Sequence, residues 1–277
     1  MISAAILDLD GTLVDSNNLH LQAWQETFRH FGKKIPPEKL REQIGKGGDQ
    51  YLPVFLSEKA MCEIGKQMDE SHGKIFKKKY LSRVRPFPRV RELFERLRSD
   101  GKEIALASSE KADEVEHYQK LIGIKGLVDC QTTADDVAHS KPKADVFIVA
   151  LRTLGHLSPE QAIAIGDTPY DVEAAKKINL ATIALLCGGF PENDLHDAGA
   201  LAIFRDPADF ARSVLSVSAR RMKLEPARPR ADERTGSRAS WLHAMEEPAA
   251  RGRGFASAQT DHDKRIYLAI QDSAILR

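Results

Sequence analysis

Ala4-Ala5-Ile6-Leu7-Asp8-Leu9-Asp10-Gly11-Thr12-Leu13-Val14-Asp15-Ser16 is the stretch on which the reading of this chain turns. Its apolar opening, Ala4 to Leu7, reads as a short buried strand. Side chains alternate faces along a strand, so Asp8 and Asp10 are expected on one side at its carboxyl end, where Gly11 and Thr12 stop it. Two carboxylates there are costly to bury unless a cation holds them. That edge is also where open α/β sheets place their ligands.

The chain around this stretch has 277 residues, enough for one large domain and a smaller one. With 41 basic and 40 acidic residues and a net charge of +1, no global field points to nucleic acid or a membrane surface. The hydrophobic share of 42% suits a globular protein. Cys62, Cys130 and Cys187 lie far apart, without metal-ligand spacing, and read as reduced thiols of a cytoplasmic protein rather than a disulfide framework. No run approaches the ~18 apolar residues of a membrane span, and no basic leader precedes a hydrophobic core. A soluble, cytoplasmic protein is the expectation.

From Asn18 to Phe31 the pattern turns helical, with Leu21, Trp24, Phe28 and Phe31 three or four apart. Residues 38–80 add helical material, and Lys77-Lys78-Lys79 reads as a solvated helix face. Residues 16–85 therefore read as a helical insert, with Pro86-Phe87-Pro88 as its exit hinge. Beyond it, strands at 103–107, 127–130, 162–165, 181–185 and, weakly, 201–204 alternate with helices at 90–98, 111–122, 147–154 and 172–178. This predicts an α/β fold: a Rossmann-like, mostly parallel sheet formed by residues 1–15 and 86–216, with an inserted α-helical cap at 16–85. Residues 217–277, rich in Arg and Pro, read as a flexible tail with a short amphipathic turn at 266–274. A neutral appendage is the simpler reading of that tail, and docking or nucleic-acid contact the alternative.

Each strand end carries a group suited to one task. Asp8 and Asp10 close the first strand, Ser108 closes the second, Asp167 and Asp171 follow the fourth, and Lys141 sits in a loop before Pro142. Parallel strands bring these groups to one edge. Carboxylates without cysteine or histidine make a hard oxygen site suited to Mg²⁺, and a lysine and a hydroxyl beside it suit a phosphate.

The ordered set Asp8-x-Asp10-Gly-Thr, Ser108, Lys141-Pro142 and Gly166-Asp167-Thr-Pro-Tyr-Asp171 resembles the haloacid dehalogenase superfamily of phosphotransferases, over residues 1 to about 215. Dehalogenases of that superfamily lack the second aspartate of the first motif, so Asp10 points to phosphate chemistry. Ala144 departs from the proline often found in relatives but leaves Lys141 and Asp145 in place. The resemblance implies Asp8 as nucleophile and Asp10 as acid and base. It implies Mg²⁺ held by Asp8, the Asp10 backbone carbonyl and Asp167, with Asp171 as an outer ligand or orienter. Ser108 and backbone N–H groups near Gly11 and Ser109 would bind the phosphoryl oxygens, and Lys141 would neutralise charge.

Phosphate-monoester hydrolysis can need an acceleration of up to ~10²¹-fold, roughly 28 kcal/mol. One lysine about 4 Å from a charge supplies on the order of 4 kcal/mol in a partly screened site, so the groups must act together. Two cap features bear on the small phosphorylated metabolite expected as substrate. His20 stands at the offset from Asp10 at which β-phosphoglucomutase-like members carry a cap histidine, which would make a sugar phosphate the favoured substrate class, with a surface histidine at the start of a helix as the alternative. Ile44-Gly45-Lys46-Gly47-Gly48-Asp49-Gln50 either delivers Lys46 to the leaving group or is a flexible turn. Three functions follow: a Mg²⁺-dependent phosphatase acting on a sugar phosphate or phosphoglycolate-like ester, a sugar-phosphate mutase, or a non-enzymatic interaction protein on a phosphatase scaffold.

Overall fold

The Ala4–Leu7 strand (β1) is paired on both edges and covered on both faces, Ala5 and Leu7 packing on one core and Ala4 and Ile6 on another, and the cover on both faces is why its residues are apolar without alternation. In the computed structural model, which describes residues 2–155 and 157–213, a six-stranded sheet runs in the order β5-β4-β1-β6-β7-β8. Its strands are Glu103–Ala107 (β4), Cys130–Thr132 (β5), Ala162–Gly166 (β6), Ala181–Leu185 (β7) and Ala202–Phe204 (β8). Every pairing in it is parallel. The strand order reverses at β1, the switch point beside which α/β sheets bind ligands. The segments predicted to lie at 217–277, including the turn at 266–274, fall outside the described residues.

The two faces of the sheet divide the core by size. Leu7, Ile104, Leu106, Ile163, Ile165, Ile183 and Leu185 face one layer, completed by Leu93 and Phe94 of helix Val90–Ser99 and by Val115 and Tyr118 of helix Ala112–Ile122. Ala4, Ile6, Ala105, Ala107, Ala162 and Ala164 face the other, where the bulk comes from Phe147, Leu151 and Leu154 on and just after helix Asp145–Thr153. Each large side chain buried this way contributes on the order of 1.5–3 kcal/mol.

Between Val14–Asp15 (β2) and Arg85–Pro86 (β3) the chain is helical, and these two short strands pair antiparallel where it leaves and re-enters the sheet domain. The main helices of the insert are Asn17–His30 (α1) and Lys66–Lys79 (α2), packed side by side. Leu21, Trp24, Phe28, Tyr51, Leu52 and Met68 form its own core. This ribbon, at the predicted hinge, has no signal in a two-residue strand.

Most other boundaries fall within a few residues of expectation, and the exceptions have causes. The strand expected at 127–130 begins only at Cys130, because the Asp129 carboxylate accepts the Ile104 N–H (2.8 Å) and brings the chain onto the sheet edge there. The helix expected from Val172 starts at Pro169, where Thr168 and Asp171 cap each other reciprocally. Helix Glu192–Ala198 is not anticipated in the sequence reading.

Candidate active site

At the carboxyl end of β1 the ladder runs one step past the strand, with the Asp8 N–H donated to the Ile165 carbonyl (2.9 Å). This holds the Asp8 backbone rigidly while its side chain enters the cleft, only 6% exposed. The Lys141 Nζ lies 2.5 Å from Asp8 Oδ1 and 2.7 Å from Asp171 Oδ1, and is itself fully buried. The Thr12 hydroxyl stands 2.7 Å from Asp167 Oδ1 and 3.2 Å from Asp8 Oδ2. Asn17 donates through Nδ2 to Asp167 Oδ2 (2.8 Å) and to the Gly188 carbonyl (3.0 Å). Asp171 is doubly committed, since its Oδ2 accepts from the Thr168 backbone N–H (3.1 Å) and hydroxyl (2.7 Å) while its Oδ1 meets Lys141.

The carboxylates of Asp8, Asp167 and Asp171 come within 4.8 Å of one another, with one lysine among them. Burial pushes the Asp8 carboxyl up to about 7, with Lys141 pulling it down and Asp171 pushing it further up. Burial, with Asp8 and Asp171 as neighbours, raises Asp167 well above the ordinary carboxylate range. Burial alone would lower the Lys141 ammonium, but Asp171 and Asp8 outweigh it and hold it above its usual value. A raised carboxyl beside buried carboxylates marks a place short of positive charge.

Asp10 lines the same cavity as Asp8 but has different partners. The chain turns after β1, and the Asp10 carboxylate faces the insert, accepting from the Ser16 hydroxyl (2.6 Å) and lying 3.1 Å from His20 Nε2. Burial pushes this carboxyl up, but the charge of His20 and hydrogen bonds from His20, Ser16 and Tyr118 hold it below its ordinary value. The expectation that both aspartates leave one face of a strand is corrected: the strand ends at Leu7, and the turn that follows separates their tasks.

Two further expectations change in form. The Gly11 N–H is donated to the Val14 carbonyl (2.8 Å) and so is not free to bind phosphate. The site needs glycine there because φ is +74° and a Cβ would stand 2.3 Å from Asp167 Oδ2. Lys46 lines the cavity but is held at its wall, with Nζ 2.6 Å from Gln43 Oε1 and 4.2 Å from the centre of the Tyr170 ring. Ser108, buried at the end of β4, accepts the Glu110 N–H on its Oγ (3.0 Å), whereas the buried Ser109 Oγ has no partner and Ser109 lines the cavity.

The cavity between insert and sheet has a volume of about 610 Å³. Its upper wall holds groups absent from the sequence reading. The Glu110 carboxylate lies 3.9 Å from His20 Nε2 and is raised well above its ordinary range by burial and by Glu114 and Asp10. Glu114 pairs with Lys77 (3.3 Å) and is also pushed up by burial. His72, stacked on Trp24 at 3.9 Å, is pushed well below its usual value by burial and by His20. Thr12 and Asn17 were the findable omissions: Thr12 sits inside the first motif, and Asn17 is at the first turn of a helix that begins beside it.

A family model described as haloacid dehalogenase-like hydrolase matches residues 5–185. The phosphoglycolate phosphatase of Aquifex aeolicus is 28% identical over 188 residues, covering 66% of this chain and 84% of that protein. The pyrophosphatase PpaX of Bacillus velezensis is 29% identical over 183 residues, covering 65% and 82%. Among solved structures, a hydrolase from Pseudomonas syringae superposes with a TM-score of 0.72 at 26% identity, covering 78% of this chain and 99% of that one. The parallel sheet, the inserted helices and the match across both put the conclusion plainly: the chain belongs to the haloacid dehalogenase-like hydrolase family.

Proposed function

We propose that this protein is a Mg²⁺-dependent phosphatase that hydrolyses a small phosphate monoester, a sugar phosphate or phosphoglycolate-like ester, through an aspartyl phosphate on Asp8. The observation that carries the reading is the Asp8 carboxylate held in the cavity against the Lys141 ammonium (2.5 Å), with Asp10 lining the same cavity in contact with His20. Binding alone requires neither a fixed nucleophile nor a poised acid, so the scaffold reading draws no support from this arrangement. The names of relatives, a phosphoglycolate phosphatase and a pyrophosphatase among them, support a small phosphate substrate.

The donors fit Mg²⁺. They are all oxygens, they converge, and Asp167 is a buried carboxylate lacking a cationic partner of its own. Asp8, Asp167 and the Asp10 backbone carbonyl would hold the ion, while Asp171, already bonded to Lys141 and Thr168, orients the set. Bound there, Mg²⁺ supplies neutralisation of the negative charge shared by phosphoryl group and nucleophile.

The protein's own groups account for the proton and bond changes. An Asp8 carboxylate oxygen attacks phosphorus and the ester P–O bond breaks, with the proton for the leaving oxygen supplied by Asp10, which must first take one up in the substrate complex because its contacts with His20 and Ser16 favour the ionised form. Asp10 then takes a proton from water, the water oxygen attacks phosphorus, and the P–O bond to Asp8 breaks, releasing inorganic phosphate and restoring both carboxyls. Lys141 holds the Asp8 oxygen in line and offsets its charge, and Thr12 fixes the second oxygen.

The test is release of inorganic phosphate from a panel of phosphate esters, with and without Mg²⁺, by wild type and Asp8→Asn. Metal-dependent release that disappears in the variant is expected, with turnover reduced by roughly 10⁴-fold or more. Absence of release from every ester would sink the phosphatase reading. The His20–Asp10 contact favours a sugar-phosphate mutase as the second reading, and transfer of label between sugar positions would identify it.

A further inference from the structure

The glycines of Gly45-Lys46-Gly47-Gly48 are required by close approach rather than by mobility. Gly45 has φ +99°, and a Cβ on it would stand 2.6 Å from Thr168 Cγ2. A Cβ on Gly47 would meet Ser140 Cβ at 2.7 Å, and one on Gly48 would meet Asp69 Oδ1 at 1.9 Å. Asp69 belongs to the insert's own helix Lys66–Lys79, whereas the Gly45 and Gly47 contacts seat the loop flush on two loops of the sheet domain. One carries Thr168, between Asp167 and Asp171. The other carries Ser140, the residue before Lys141.

Polar contacts lock the same seat. The Asp49 carboxylate accepts the Ser140 backbone N–H (3.0 Å) on one oxygen and the Ser140 hydroxyl on the other. The Gly47 N–H is donated to Ser140 Oγ (2.9 Å), so the hydroxyl both gives and receives. Tyr170, also between Asp167 and Asp171, donates its hydroxyl to the Glu42 carbonyl, and Lys46 lies over its ring. Ser140 is only 6% exposed, and its neighbour Lys141 reaches Asp8. Two charge-assisted bonds to one carboxylate, one of them on the backbone, fix the direction in which the chain enters Lys141.

We infer that Asp49 is a positioning residue: its carboxylate clamps the insert to Ser140, so that closing the cavity and aligning Lys141 on Asp8 are one event. An undocked insert would leave the cavity wet and the Ser140–Lys141 segment without its fixed entry, coupling enclosure of substrate to the competence of the floor. The inference rests on the phosphatase reading, which supplies its readout.

The experiment measures kcat, KM and melting temperature with Mg²⁺ and the best ester of the panel, for wild type, Asp49→Ala, Asp49→Asn, Ser140→Ala, Gly47→Ala and the Asp49→Ala/Ser140→Ala double variant. Asp49→Ala is expected to lower kcat about ten- to hundredfold, as misplacement of a reacting group does, with the melting temperature falling by only a few degrees. Asp49→Asn keeps one acceptor oxygen and should recover part of that loss. Gly47→Ala removes no polar side chain and the extended backbone there (φ −72°, ψ 164°) suits alanine, yet its methyl should unseat the loop and lower kcat similarly. The double variant should be no slower than the slower single. An unchanged kcat in Asp49→Ala, or losses that add in the double variant, would overturn the clamp while the phosphatase stands. Wild type that releases no phosphate from any ester would overturn the phosphatase reading itself and the clamp with it.

Discussion

The floor and the upper wall of the cavity are built on opposite terms. On the floor each charged group has a fixed partner: Lys141 lies between Asp8 and Asp171, Asp167 takes bonds from Thr12 and Asn17, and Asp171 also caps its helix. The wall instead leaves polar atoms unmet. His72 Nε2, Glu114 Oε2 and Ser109 Oγ are buried without a hydrogen-bond partner. A buried polar atom left unpaired costs roughly 1–3 kcal/mol. Under the proposed function the floor would meet the same phosphoryl group in every substrate, which fits contacts settled in advance. The wall lines the rest of the cavity, where the leaving group would lie under the proposed function.

Breaking the floor should therefore cost far more than breaking the wall. Lys141→Met keeps the length of the stem but leaves Asp8 and Asp171 buried without their cation, and is expected to destabilise the metal-free protein by about 3–5 kcal/mol in thermal or urea unfolding at pH 8. The loss should shrink at pH 5, where Asp8 can take up a proton instead of bearing a charge. An equal loss at both pH values would show that the lysine contributes packing rather than charge.

The pH dependence of stability sharpens the same contrast. Asp8 has a folded value of about 7 against an ordinary 3.8, and Asp167 is raised in the same direction. A group raised on folding favours the folded state at pH below its unfolded value, and that advantage is lost as pH rises through the folded value. Metal-free protein should thus lose stability between about pH 4 and pH 7, and added Mg²⁺ should raise the melting temperature more at pH 8 than at pH 5. A metal effect independent of pH would separate these carboxyls from the ion.

The smallest change belongs to the wall. Glu114→Gln loses part of the contact with the half-exposed Lys77 and relieves the crowding with Glu110, two opposing effects, so unfolding should shift by no more than about 1 kcal/mol. The carboxyl of Glu110 should fall towards its ordinary range at the same time, visible by NMR titration. A loss as large as that of Lys141→Met would erase the distinction between the two regions.

These differences also explain what could be read before folding. The strand Ala4–Leu7 and the alternation of apolar strands with helices are local patterns, and they predict a parallel α/β sheet with a helical insert. The floor residues announce themselves because each lies within a short motif at a strand end. Sequence spacing did not reveal that the turn after Leu7 sends Asp8 and Asp10 to opposite partners, or that the Gly11 N–H is consumed within its own turn.

Local patterns carry most of the elements, their order and the chemical set Asp8, Asp10, Lys141, Asp167 and Asp171, since strand propensity, capping and motif spacing act over a few residues, whereas the two-residue ribbon and helix Glu192–Ala198 leave no such mark. Only the tertiary structure decided which groups meet. Asp49 finds Ser140 across 91 positions and Lys141 finds Asp8 across 133, and no local pattern encodes such pairings. They arise because parallel strands bring their carboxyl ends to one edge and the inserted helices are tied back over it at Val14–Asp15 and Arg85–Pro86.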